Sequence, residues 1–364
     1  MQGTEWGAID QWLAGSMMGR QPTWPDGCDG DEMLRVAREQ GVAALLQARL
    51  AGSDAEVPSE LRHALDSLAQ KKAAQSLYRQ AQCRAVLARL DAAGIPALVL
   101  KGAALAYWAY PEPYLRESGD IDLLLPSAQD TERAVAAIAP LGYTLLEGLH
   151  PGDLSRFEST CAQVGGGMEI DMHWRLSNTA LFAFRFGWDE LWQQSVGLPA
   201  LAPTARALAP AQALLHACMH RTKHLAVQQD RLSWLYDLVV MAERFGPADW
   251  QALCAQAARH GVAGVCLANL RDAEARFGSL LPSDVANALA EASSREPLRP
   301  ARLRHGWYFQ LMSWKALPTM WMRWRWLRQQ MFPGFAFLRR RHGTDSTVVA
   351  LWRRVLMGVR RLRG

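Results

Sequence analysis

Residues 98–126 read LVLKGAALAYWAYPEPYLRESGDIDLLLP, and the reading of this stretch decides the fold. Leu98, Val99 and Leu100 form a short apolar run ended by Lys101 and Gly102, the mark of a buried strand entering a tight turn. Residues 103–110 are rich in alanine and have the composition of a helix. Pro111 and Pro113 stop it, because proline cannot continue a helix and pushes the preceding residue to extended geometry. Asp120 and Asp122 then fall two apart in an apolar run. On a strand they share one face, with Ile121 and Leu123 on the other. Two neighbouring carboxylates repel one another unless a cation lies between them. A divalent ion with oxygen ligands, Mg²⁺ (or Mn²⁺), is the expected one where phosphates are handled.

Downstream the pattern stays mixed. Ser127 starts a helix over residues 129–139, and residues 143–146 suit a strand. Residues 161–164 and 168–174 flank Gly165, Gly166 and Gly167, which predicts a hairpin. On its second strand Glu169, Asp171 and His173 share a face, and a different register would put Glu169 in place of Asp171. Upstream, residues 31–50 have one apolar helical face. A long helix is expected from Pro58 to the Gly94 stop. Further helices are expected over residues 210–225, 232–245, 250–260 and 283–292. The organisation read from this is a helical region over 1–92, a core over 93–200, a helical domain over 201–300 and a basic segment over 301–364.

The stretch resembles the nucleotidyltransferase superfamily of DNA polymerase β. More closely it resembles a bacterial family usually called uncharacterised nucleotidyltransferases. The family pattern of L-K-G, Y-P, R and D-I-D-L-L is present as Leu100 to Gly102, Tyr110-Pro111, Arg116 and Asp120 to Leu124. Its later D-x-H-W-R-L is present as Asp171 to Leu176. A helical pattern is matched by His220, Lys223-His224, Arg231-Leu232, Trp234-Leu235 and Asp237. The resemblance implies an α+β fold with a polymerase β-like core and mixed sheet, flanked by helical regions. It implies metal-dependent transfer of a nucleoside monophosphate from an NTP, ATP by default, to a hydroxyl of a peptide, protein, sugar or small molecule. Asp120 and Asp122 would bridge the metal ions. Asp171 would be the third carboxylate and would hold or act as the general base.

Around these acids, Gly102 would let backbone approach a phosphate at a helix N-terminus. Lys101 and Arg116 would add positive charge, and His173 would contact substrate or orient Asp171. Each has a structural alternative. For Lys101 and Arg116 it is an ion pair with Glu112, Glu117 or the acid cluster. Ala103 stands where the superfamily usually has serine or glycine, and the gap to Asp120 is long. These two departures favour the rival reading, a nucleotide- or protein-binding module that keeps the fold without turnover. His216, His220 and His224 recur every four residues on one helical stripe. No H-E-x-x-H pattern and no fourth ligand accompany them, so they are read as a polar stripe facing the cleft with Lys223. Asp237 is expected to pair with Arg231 or a histidine.

Composition sets the remaining limits. In the chain of 364 residues, half are hydrophobic, and no run of 18 apolar residues predicts a membrane span. Cys28, Cys83, Cys161, Cys218, Cys254 and Cys266 form no Cys-x-x-Cys pair and suit a reducing cytoplasm. The start of the chain, with Glu5 and Asp10 and no basic region, is not read as a secretory signal. The net charge of +5 divides into +13 after residue 300 and −8 before it. That asymmetry suggests a weak polyanion contact through the C-terminal segment, where Trp307, Trp314, Trp321, Trp324 and Trp326 alternate with arginines. Packing of those tryptophans on the body is the competing reading. The sequence has no Walker A, G-x-G-x-x-G or G-x-S-x-G pattern.

Overall fold

The computed structural model describes residues 7–53, 56–146, 154, 156–165 and 167–331. The chain begins with α1 (Ala8–Met17), α2 (Gly30–Glu39), α3 (Ala43–Ala51) and the long α4 (Ser59–Ala92). The apolar stripe read as one helix over residues 31–50 is divided between α2 and α3. Gly41 lies between them at φ +68°, a left-handed conformation that glycine adopts without a Cβ clash. Beyond α4, Gly94 at φ +63° turns the chain directly into the sheet.

The sheet elements are β1 (Leu98–Val99), α5 (Lys101–Trp108), β2 (Asp120–Leu124), α6 (Ala128–Ile138), β3 (Tyr143–Leu145), β4 (Glu158–Gln163) and β5 (Glu169–His173). After them come α7 (Ala180–Ala183), α8 (Trp188–Gln194), β6 (Val196–Gly197) and β7 (Arg206–Ala207). The seven strands lie in the order β3-β4-β5-β2-β1-β7-β6. The sheet is mixed: β2 runs parallel to β5 and antiparallel to β1. The hairpin of β4 and β5 is antiparallel, and β4 starts earlier than expected, at Glu158. β6 and β7 are two-residue strands too short to show alternation in sequence.

Each central strand alternates between two cores, as a period of two requires. Ile121, Leu123, Ile170 and Met172 pack with Val86, Leu87 and Leu90 of α4 and with Ala134 and Ile138 of α6. Leu98, Leu100 and Leu124 point the other way, into a larger core. That core joins Leu13, Met33, Leu46 and Leu65 of the first four helices to α9 (Pro210–Leu225), α10 (Leu232–Ala242), α11 (Pro247–Arg259), α12 (Ala263–Phe277) and α13 (Ser283–Ser294). Fully burying each such side chain stabilises the fold by about 1.5–3 kcal/mol. The acidic residues of β2 and β5 therefore lie on the sheet face turned away from α6, at the rim of this larger core.

The described chain ends in α14 (Pro300–Leu303), α15 (Gly306–Ala316) and α16 (Met320–Met331). Trp326 is buried with Leu317 and Phe157, and Trp314 packs beside them. Trp307, Trp321 and Trp324 are exposed, with Arg325 over Trp321 and Arg328 over Trp324. The basic positions from Arg339 onward lie outside the described residues. All six cysteines are unpaired thiols. Among the described residues no helix is long and apolar enough to cross a membrane.

Candidate functional site

The parallel pairing of β2 with β5 sets Asp120 opposite Glu169, Asp122 opposite Asp171 and Leu124 opposite His173. Asp171, and not Glu169, is the strand carboxylate beside Asp122, and Glu169 is exposed at the sheet end. One donor atom each from Asp122, Asp171 and His173 lie within 4.8 Å of one another. Asp120 stands one pair outward, where its Oδ1 accepts from Ser118 Oγ at 3.2 Å.

Charges alternate through the site. Lys101 Nζ donates to Asp122 Oδ1 at 2.5 Å, and His173 Nε2 lies 2.9 Å from the same oxygen. On the far side of the ring, His173 Nδ1 is 3.2 Å from Glu158 Oε2. Glu158 also accepts from Arg156 at 2.6 Å and Asn178 at 2.8 Å. Burial by itself would raise the Asp122 carboxyl, but Lys101 and His173 outweigh it and hold Asp122 far below the usual carboxylate range. The same contest, with His173 and Arg156 prevailing, brings Glu158 down to about 2. Burial opposes the Lys101 ammonium too, and Asp122 prevails, so its pKa is raised. Asp171 differs. Burial, followed by the Glu158 charge, pushes it up, although Thr160 Oγ1 donates to it at 2.5 Å. Glu158 was not found in the sequence. Glu158, Ser159 and Thr160 are three polar residues in a row with no alternation to mark a strand, and the pairing of Glu158 opposite His173 is a tertiary fact.

The turn into α5 is tightest at Lys101, whose φ is +49°. Gly102 is closely packed. A Cβ there would lie 3.3 Å from the Arg116 guanidinium and 3.3 Å from Ser118 Cβ. Arg116 is buried, and its Nε and Nη2 donate to the two carboxylate oxygens of Asp237 at 2.6 and 2.7 Å. Tyr110 OH donates to the same carboxylate at 2.7 Å. Arg116 is thus paired with an acid of α10, rather than with Glu112, Glu117 or the aspartate cluster. Glu117 pairs with Lys72 at 2.7 Å. For Asp237 the expected partner, Arg231 or a histidine, is likewise replaced by Arg116 and Tyr110. A buried guanidinium needs both oxygens of a buried carboxylate, and α10 brings the nearest one.

A cleft of about 690 Å³ opens over Lys101, Gly102, Asp120 and Asp122, with α9 as its opposite wall. His216, His220 and His224 line it, as their stripe suggested. Burial holds His216 down at about 3 and His224 at about 4, so these rings are neutral at pH 7. His220, His224 and Trp234 stack together, with ring centres 4.6 to 5.4 Å apart. Among the described residues the three histidines form no metal-ligating group. Lys223 donates to Asn178 Oδ1 at 2.9 Å, and burial lowers its pKa to about 8.

A family model described as uncharacterised nucleotidyltransferase matches residues 26–278, more than two thirds of the chain. No curated protein matches the chain in sequence. The match takes in α2 to α12, including Asp120, Asp122, Asp171, His173 and the α9 stripe, and the chain belongs to this family of uncharacterised nucleotidyltransferases.

Proposed function

We propose that the protein is a metal-dependent nucleotidyltransferase with a polymerase β-like core, moving the NMP of an NTP, by default ATP, to a hydroxyl acceptor. The observation that carries this reading is the convergence of Asp122, Asp171 and His173 donor atoms within 4.8 Å, with Asp122 lining the cleft. The donor set fits a divalent cation. The oxygen donors are Asp122 and Asp171, with His173 bonded to Asp122 beside them, and Asp171 has no cationic side chain in ion-pair range among the described residues. Mg²⁺ or Mn²⁺ would be held by Asp122 and Asp171 with Asp120 beside them, and would neutralise charge on the attacking and leaving oxygens.

The chain's own groups do the rest. The acceptor oxygen attacks the α-phosphorus, the bond to the bridging oxygen of pyrophosphate breaks, and Asp171 takes the hydroxyl proton. Its raised pKa suits a base better than the depressed Asp122. His173, bonded through Nε2 to Asp122 and with the Glu158 carboxylate 3.2 Å from its Nδ1, orients Asp122. Lys101 offers a cation to a phosphate as it rotates off Asp122. The neutral stack of His220, His224 and Trp234 offers planar faces to the substrate. The basic segment after residue 300 would add a weak polyanion contact.

A second reading, a nucleotide-binding module without turnover, is favoured by Lys101. Its ammonium already supplies Asp122 with a counter-charge. The experiment that separates them measures Mg²⁺-dependent thermal protection by each NTP and then pyrophosphate release. Protection with release supports the transferase, and Asp122→Asn and Asp171→Asn should each abolish release while remaining folded. Protection without release in the wild type supports the binding module. Wild-type release by both variants would refute the metal-dependent reading.

A further inference from the structure

Beside the main cleft lies a second one of about 530 Å³. The two are continuous, since Ser118, Gly119, Arg231 and Trp234 line both. The second cleft is basic. Arg38 comes from α2, Lys72 and Arg79 from α4, and Arg231 is the residue just before α10. These segments lie outside the strands that carry the aspartates, yet they bring their cations to the mouth of the Asp120 end.

Lys72 is neutralised by Glu117. Among the described residues Arg38, Arg79 and Arg231 have no carboxylate in ion-pair range. Arg79 Nε is buried with no hydrogen-bond partner, and burial disfavours its charge. Arg231 lies over the Trp234 ring, 5.6 Å from its centre. Three arginines converging on one hollow repel each other, and a partly buried, unpaired guanidinium destabilises the fold. The arrangement becomes favourable when an anion enters. Planar guanidinium forks match phosphate oxygens in pairs.

We propose that this trench is an anion subsite that binds a phosphate-bearing group at the mouth of the Asp120 and Asp122 site, gripped by Arg38, Arg79 and Arg231. The binding itself does not depend on turnover. The identity of the anion rests on the transferase reading, and two sources share the chemistry: the triphosphate of the nucleotide, or a phosphate carried by the acceptor.

The test is calorimetric binding of inorganic tripolyphosphate to the full-length chain without metal, with Arg79→Gln, Arg38→Gln and Arg231→Gln as variants. Arg38 and Arg231 are exposed, so their replacement leaves the fold intact even if Arg79→Gln disturbs it. The expected result is wild-type binding that weakens with salt, and a loss of about five- to tenfold for each arginine removed. Titration with ATP and adenosine assigns the source. If the trench takes the nucleotide's phosphates, ATP affinity falls with that of tripolyphosphate and adenosine binding is unchanged. If it takes the acceptor's phosphate, tripolyphosphate binds alongside saturating ATP, and the variants lose only that second event. Asp122→Asn separates this inference from the function proposed above, because it should lose pyrophosphate release and keep tripolyphosphate binding. No tripolyphosphate binding by the wild type, or unchanged affinity in the Arg38→Gln/Arg231→Gln double variant, would overturn the proposal.

Discussion

Asp237→Ala is the sharpest test of how the site is framed. Asp237 and Arg116 are both buried, and the carboxylate takes two guanidinium bonds and the Tyr110 hydroxyl. Removing the acid leaves a buried cation without its counter-charge and a buried hydroxyl without its acceptor. Loss of one partner from a buried pair costs about 3–5 kcal/mol. With an unfolding entropy of about 2.1 cal/mol/K per residue, the whole chain should melt about 4–7 °C lower. Thermal and urea melts followed by circular dichroism give the loss, and a double-mutant cycle gives its origin. Arg116→Met with Asp237→Leu removes both charges, so most of the stability should return. Nucleotide protection should fall in Asp237→Ala, because Arg116 packs against Gly102 at the turn below the cleft. A loss below about 1 kcal/mol, or a double variant that loses the sum of the two single losses, would refute the account of Arg116 as a buried, framing ion pair.

Gly102→Ala should destabilise the chain by about 1–2 kcal/mol, because the new methyl meets an Arg116 side chain pinned by Asp237. The loss should shrink in the Arg116→Met/Asp237→Leu background, and an equal loss in both backgrounds would exclude this clash as the cause. In metal-free buffer the melting temperature should fall steadily from pH 7 to pH 3. His216 stays neutral down to about 3 when folded against an ordinary 6.5, and Glu158 stays ionised to about 2 against 4.5, with Asp122 also held low. For each of these groups the unfolded chain binds the proton first. Their stabilisation is thus complete above the unfolded value and lost as pH falls. Asp171, pushed up by burial and by Glu158, works in the opposite direction and softens the acid limb. His216→Phe should flatten the part of the profile between pH 6.5 and 4.5, and an unchanged slope there would exclude His216 as its source.

Local pattern was enough for much of the architecture. The Asp-x-Asp alternation, the proline stops at 111 and 113, the glycine-centred hairpin and the long helix ending at Gly94 all depend on neighbours within a few residues. So does the histidine stripe, which a period of 3.6 puts on one face of α9. The division of residues 31–50 into α2 and α3 was locally signalled too, by Gly41, and the apolar stripe running across it obscured that signal.

Other features arose only when distant segments met. The sequence put Asp120 and Asp122 on one strand face and Asp171 on another. The meeting of Asp122 with Asp171 required β2 and β5 to pair in parallel in one register, and a shift of one residue would have turned Asp171 to the opposite face. Glu158 became part of the site because β4 lies against β5, and Arg116 found Asp237 because α10 packs across the loop that carries it. Arg38, Arg79 and Arg231 share a trench although they come from three separate segments of the chain. The sequence by itself determined which faces of its strands and helices are polar, since side-chain direction follows backbone period. Which polar faces meet, and hence which charges are neutralised and which are left for a ligand, was decided by tertiary packing. Ion pairing falls off over a few ångströms, and no spacing along the chain measures that distance.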